Sequence, residues 1–533
     1  MNRLDAIVIG AGHNGLTTAA YLARSGLDVV VLERRPAIGG AAISEERHPG
    51  FIYSSCSYVC SLLRSEIMRD LDLPRHGLRI IPYEHSTVLS PGDGRHLGLY
   101  GDPDLTKRSI ARHSVRDSEA YDRFSRDIYR QCRMIRPLLL RTPPDPTSFR
   151  PRDLKGMADI GRAFAAMGEE GIYQAMQFWT MSCGDFLDRY FESDLLKGGL
   201  AANSIIGTAL GPYSPGSAYV LLHHMMGDLD NHVGAWGFAV GGMGAVSDAL
   251  AGAAREHGAE IRTEAEVTHV IVENGSSVGV ALASGEEIRA PVIVSNLDLK
   301  RTFLKLFPPA ELDPDFIARV RNFKIRGSSG KLNIALDALP DFPLFRDDAL
   351  LARGGIILGP SLDYLERGYD DWKRGTWSQE PFLDIVIPSV LDPTMAPPGK
   401  HYMSVFVQFV PPVLADGPWT DAKRDAFGET VLATIESVCP GFRKLILDCW
   451  IRSPADLEAD VGLTEGNIFQ GELTLDQLLF NRPLPGYAQY RGPVKGFYMC
   501  GSSTHPGGGV MGAPGANAAR EILIDLKRKR REA

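Results

Sequence analysis

No apolar run in the 533 residues approaches the 18 or so positions a helix needs to span a bilayer, so no transmembrane helix is expected. No signal-peptide pattern is expected at the amino end either, because the first apolar run, AIVI at 6–9, leads straight into a glycine turn. The seven cysteines are scattered and odd in number, which suits a reducing cytoplasm rather than a disulfide framework. With 57 Lys and Arg against 65 Asp and Glu, the net charge of -8 offers no footprint for nucleic acid. There is no H-E-x-x-H, no C-x-x-C and no nucleophile-triad spacing, so neither a metal site nor covalent hydrolysis is expected. Internal repeats and low-complexity segments are missing too.

Glycine, by contrast, is abundant at 56 residues, and its placement near the amino end is ordered. Ala6 to Ile9 reads as a short buried strand, Gly10, Gly12 and Gly15 follow at G-x-G-x-x-G spacing, and LTTAAYLARS has helical periodicity up to Gly26. A second strand, DVVVL at 28–32, ends on Glu33, about 20 residues beyond the glycines. That context makes the motif a dinucleotide fingerprint. Gly10 permits the tight turn, Gly12 the close approach of a pyrophosphate, and Gly15 the contact between helix and strand. The phosphates are expected at the free amides of the helix beginning at His13 and Asn14. Glu33 can accept two ribose hydroxyls but repels a 2′-phosphate, which favours FAD or NAD over NADP.

After Glu33 come Arg34, Arg35 and then Ile38-Gly39-Gly40-Ala41-Ala42-Ile43-Ser44. Here the sequence resembles the FAD-binding unit of the phytoene desaturase and amine oxidase superfamily, in which a second diglycine covers the flavin side of FAD. Ala41 stands where amine oxidases typically carry Arg. That departure points to the branch holding desaturase-type carotenoid ketolases and the proteins named for a pyridine nucleotide-disulfide oxidoreductase domain.

Two further segments are similar to the same superfamily. Residues 496–501 (GFYMCG) form a strand entering SSTHPGGGVMGAPGANAA, then a helix. By the resemblance, Gly501, Gly509, Val510, Met511 and Ala513 lie near the flavin, with backbone amides at 510–513 facing its pyrimidine edge. In the middle, a GGMG turn precedes a helix, and the resemblance implies a following strand whose backbone contacts the adenine through Val267 and a return strand ending in Asn296. Gly242 and Gly244 also admit a reading as a second, NAD-binding fingerprint, weakened by the lack of β-branched residues before them.

The expected fold is α/β: a Rossmann-like FAD domain from segments 1–75, 236–300 and 485–533, with an inserted α+β substrate domain from 76–235, largely helical, and 301–484. Strands are expected at Gly330 to Ala338 and at His401 to Phe409.

The resemblance implies an FAD-dependent dehydrogenase or desaturase taking hydride from a hydrophobic, isoprenoid-like or carotenoid-like substrate, with oxygen or a quinone as acceptor. A flavin amine oxidase, or a flavin-binding escort protein without turnover, are the alternatives. His505 is a proton-acceptor candidate, with a structural role as its competing reading. Tyr53 and Tyr58 are polar candidates near the flavin; His223 and His224 are candidates for the substrate cavity, but, being adjacent, they point to different sides and make a weak metal site. Cys56 and Cys60 admit a redox pair or two small buried hydrophobes. The cations at 527–531 raise a peripheral membrane contact against a solvated helix end, and LLHHMM at 221–226 a membrane contact or the lining of a substrate tunnel against core packing. A homodimer is also considered.

Overall fold

The computed structural model describes residues 4–83, 85–91, 93–229, 232–343 and 352–532. A five-stranded parallel sheet gathers strands from far apart in the chain, in the order Glu260–Arg262, Val29–Leu32, Ala6–Ile9, Val292–Ser295, Phe497–Met499. Its central strand is covered on both faces, which is why AIVI alternates nothing polar. Ala6 and Val8 pack with Leu16, Ala19 and Ala518 on one face. Ile7 and Ile9 pack with Val270, Val280 and Phe303 on the other.

The first of those faces carries three helices, His13–Arg24, Gly244–Glu256 and Ala513–Glu532, drawn from three distant parts of the chain. They approach closely because of glycine. A side-chain carbon at Gly15 would meet the carbonyl of Gly10, and one at Gly515 the carbonyl of Asn14. The second face is covered by an antiparallel meander, Val267–Glu273, Ser276–Leu282 and Glu287–Arg289.

A seven-stranded mixed sheet forms a second body of structure, in the order Ile446–Arg452, Ser329–Leu336, His401–Gln408, Leu383–Val386, Gly355–Leu358, His85–Leu89, His96–Tyr100. Its members include the strands expected near 330 and 401. The segment read as largely helical contributes the last two strands before its helices begin at Pro103. One face of the sheet buries Leu332, Ile334 and Val405 against Phe427 and Val431 of the helix Asp421–Val438. Over its other side lie the helices between 103 and 225, whose shared core includes Phe124, Leu196 and Phe406.

Leu221, Leu222 and Met226 are buried in that core, and Met225 is partly buried against it. Of the terminal cations, the side chain of Arg530 lies outside the described residues. Among the described residues no helix is long and apolar enough to cross a membrane, and no cluster of metal-ligating side chains occurs.

Candidate active site

The first strand ends at Ile9, the glycines turn the chain, and the helix opens at His13 with Gly12 as its N-cap. No side chain caps this helix, which leaves its first amides for another partner. A cavity of about 410 Å³ lies against them. It is lined by Gly10, Gly12, His13 and Asn14 at the turn, Glu33, Arg34 and Val267 on one side, and Asn296, Gly40, Ala41, Gly509 and Val510 on the other. Twelve of the residues expected to contact FAD therefore share one space, although three segments more than 200 residues apart supply them.

The rest stand just behind. Gly15 and Ala42 are buried in the helix-side core. The Gly39 N–H donates to the Ala11 carbonyl at 2.9 Å, joining the two glycine turns. A side chain on Gly501 would come within 2.6 Å of the Asn296 carbonyl oxygen. Met511 is buried with its carbonyl accepting the Arg64 N–H, and Ala513 begins the last helix. Val510 holds φ at +53°, a left-handed conformation that costs a β-branched residue of order 1–3 kcal/mol and marks the loop as held in place by its surroundings.

The residues present fit FAD. The uncapped helix end suits a pyrophosphate, and the Nε2 atom of His13 and an amide atom of Asn14 are buried there without a partner among the described residues. Glu33 is 7 % exposed and retains acceptor capacity for ribose hydroxyls after taking two backbone N–H groups. The alternative NAD fingerprint does not fit: the amides of Met243 and Gly244 donate to the hydroxyls of Ser54 and Ser44.

His505 is not brought to this cavity. Its Nε2 bonds the Leu138 carbonyl at 3.0 Å, and the ring lines a separate small cleft with Ile135 and Trp179. Burial pulls it down to about 4. The reading of His505 as a proton acceptor is corrected to that of a brace between the final loop and the helix Val115–Leu139. Tyr53 likewise bonds Asp448 and lies off the cavity wall, whereas Tyr58 lines it and donates to Asp384 at 2.5 Å. Burial pushes the Asp384 carboxyl up to about 6. Cys56 and Cys60 are both free thiols; only Cys56 lines the cavity, with the Arg452 guanidinium 3.3 Å from its sulfur.

Residues not singled out from the sequence complete the site. Lys331 sits on the strand Ser329–Leu336 with its Nζ donating to the carbonyls of Ser54 and Cys56, the latter at 2.7 Å. Burial pulls its ammonium down to about 7. The signal was available: it is the one charged residue in SGKLNIAL. Arg482 is fully buried, and its guanidinium donates to the carbonyls of Ser502, Thr504, Glu472, Gln477 and Phe469, clamping the final loop to residues 469–477. The cavity is also lined by Trp236 and by Leu62, Ile206, Phe406, Ile468 and Phe469, the last five packed in one apolar cluster.

Comparison with known proteins agrees with this geometry. The chain matches the family described as flavin containing amine oxidoreductase over residues 15–523. It is 41% identical to the "Pyridine nucleotide-disulfide oxidoreductase domain-containing protein 2" of Mus musculus, over 98% of this chain and 94% of that one. Identity to a limonene dehydrogenase chain of Castellaniella defragrans is 27%, over 99% of this chain and 95% of that one. Among solved structures, wild-type putrescine oxidase bound to putrescine superposes with a TM-score of 0.60 at 14% identity, covering 99% of both chains, a likeness of fold. The chain thus belongs to the flavin-containing amine oxidoreductase family, as an FAD-dependent oxidoreductase.

Proposed function

We propose that the protein is a dehydrogenase or desaturase acting on a hydrophobic, isoprenoid-like substrate. The observation that carries this reading is the apolar stretch of cavity wall formed by Leu62, Ile206, Trp236, Phe406, Ile468 and Phe469; among the described residues the carboxylates lining the cavity are Glu33 and Glu266, beside the glycine turn and Val267, so none is set to hold a substrate ammonium there. FAD, when bound, accepts a hydride from a substrate C–H bond.

The chain's own residues bind and exclude. The glycine turn and Glu33 hold the dinucleotide end. The apolar walls strip water from the substrate and align it along the site, supplying proximity rather than acid–base chemistry. Lys331, tied to the carbonyls of Ser54 and Cys56, fixes the loop that presents Cys56 and Tyr58 to the cavity. The name of the limonene dehydrogenase relative supports a terpene-sized substrate.

Anaerobic addition of candidate substrates to the flavin-loaded protein is the test. Bleaching of the visible flavin band by an apolar alkene or alcohol, and not by an aliphatic amine, is expected. Bleaching by the amine alone would make it an amine oxidase, and no bleaching by any compound would favour an escort role.

A further inference from the structure

His224 is 5 % exposed and lines the apolar end of the cavity. Its ring stacks on Trp236 with centroids 5.9 Å apart and planes 18° apart, and it also touches Phe469. Its Nδ1 lies 2.8 Å from the Asn203 carbonyl and 3.0 Å from the Val220 carbonyl. Both neighbours are acceptors only, so Nδ1 must carry the proton, and Nε2 is left with a bare lone pair. That nitrogen has no partner among the described residues.

The adjacent His223 serves a different end: its Nε2 meets the Gly508 carbonyl at 3.0 Å and braces the final loop. Burial pulls His224 down to about 4, so the ring stays neutral at physiological pH. A neutral acceptor is thereby fixed in orientation, by two carbonyls and a stacked indole, beside the rings of Trp236 and Phe469.

We infer that the Nε2 of His224 accepts a hydrogen bond from a hydroxyl of the substrate, making the preferred ligand an apolar alcohol rather than a bare hydrocarbon, with His224 as a specificity-determining residue. The inference rests on the hydrophobic-substrate reading and deepens it. An unmet acceptor in an apolar pocket penalises a ligand that lacks the donor, which is how such a site discriminates.

Anaerobic calorimetric titration of the FAD-loaded protein with three ligands sharing one ten-carbon skeleton tests it: geraniol, geranylamine and myrcene. Geraniol should bind about tenfold tighter than myrcene, the worth of one buried hydrogen bond. His224→Phe should abolish that preference by weakening geraniol alone, and His224→Gln, which keeps an acceptor, should restore part of it. Flavin content and thermal midpoint report whether each variant is folded, and His224→Gln carries the test if His224→Phe is not. Equal binding of geraniol and myrcene by the wild type, or a preference that survives His224→Phe, overturns the inference while leaving the apolar-substrate reading in place. Tightest binding of geranylamine overturns the hydroxyl assignment. Failure of all three ligands to bind sinks the hydrophobic-substrate reading and this inference with it.

Discussion

The Oε2 atom of Glu33 accepts the backbone N–H of Ala11 at 2.9 Å, tying the end of the second strand to the middle of the glycine turn. Its Oε1 accepts the Arg35 N–H at 3.0 Å. The same carboxylate thus shapes the turn and offers its remaining lone pairs to a ribose. Glu33→Ala should lower FAD affinity by about 10- to 100-fold, since hydrogen bonds to a charged group contribute about 1.5–3 kcal/mol. Equilibrium dialysis of the purified variant checks this; an unchanged dissociation constant would remove Glu33 from the ribose site.

The two inner glycines should fail in different ways. A side-chain carbon at Gly12 would sit 2.7 Å from the Asn296 amide nitrogen, on the cavity wall, so Gly12→Val is expected to fold but to purify without flavin. At Gly15 the obstacle is the Gly10 carbonyl, a backbone atom that cannot move aside. Gly15→Ala should therefore lower the thermal midpoint even of the apoprotein, and a midpoint equal to wild type would contradict the packing described.

Lys331 makes stability depend on alkaline pH. Its folded value of about 7 lies below the ordinary 10.5, so below neutrality both states are protonated and the burial penalty is complete. Between those values the unfolded chain holds the extra proton, and stability rises with pH. Relative to Lys331→Met, the wild type should gain up to about 1.4 kcal/mol per pH unit across that window. Denaturant midpoints at neutral and alkaline pH measure it; a difference that does not vary with pH would show that the lysine does not titrate there.

Removing Arg482 should unfold the final loop. Its guanidinium serves carbonyls from 469 to 504, and Arg482→Met leaves them buried without donors at a cost of about 3–5 kcal/mol. Arg482→Lys should rescue little, because one ammonium cannot reproduce the planar fork. Full stability of the lysine variant would refute the clamp.

For His505→Ala the expected loss is stability alone, about 1–3 kcal/mol from the abandoned Leu138 carbonyl. The pH profile of flavin reduction should match wild type, and a profile missing one titration would return His505 to the chemistry.

How much of this was legible beforehand follows from range. The turn from Gly10 to Gly15, the strand before it and Glu33 after it obey local rules of periodicity and turn geometry, and all could be read from 30 consecutive residues. Ala41, Val267 and Val510 were placed through resemblance, and each lines the cavity. The substrate end obeys no local rule. Lys331, His224, Trp236 and Phe469 come from four separate stretches of the chain, and no single stretch shows that its side chain faces the cavity. Whether a buried histidine lines the cavity depends on packing between distant segments: His224 does, while His505, bonded to the Leu138 carbonyl 367 residues away, does not. The sequence alone determined the dinucleotide turn, because its amides and glycines act through near neighbours. Tertiary structure alone decided which buried polar groups line the cavity, because burial and pairing are set only when the two sheets and the helical layer close around one space.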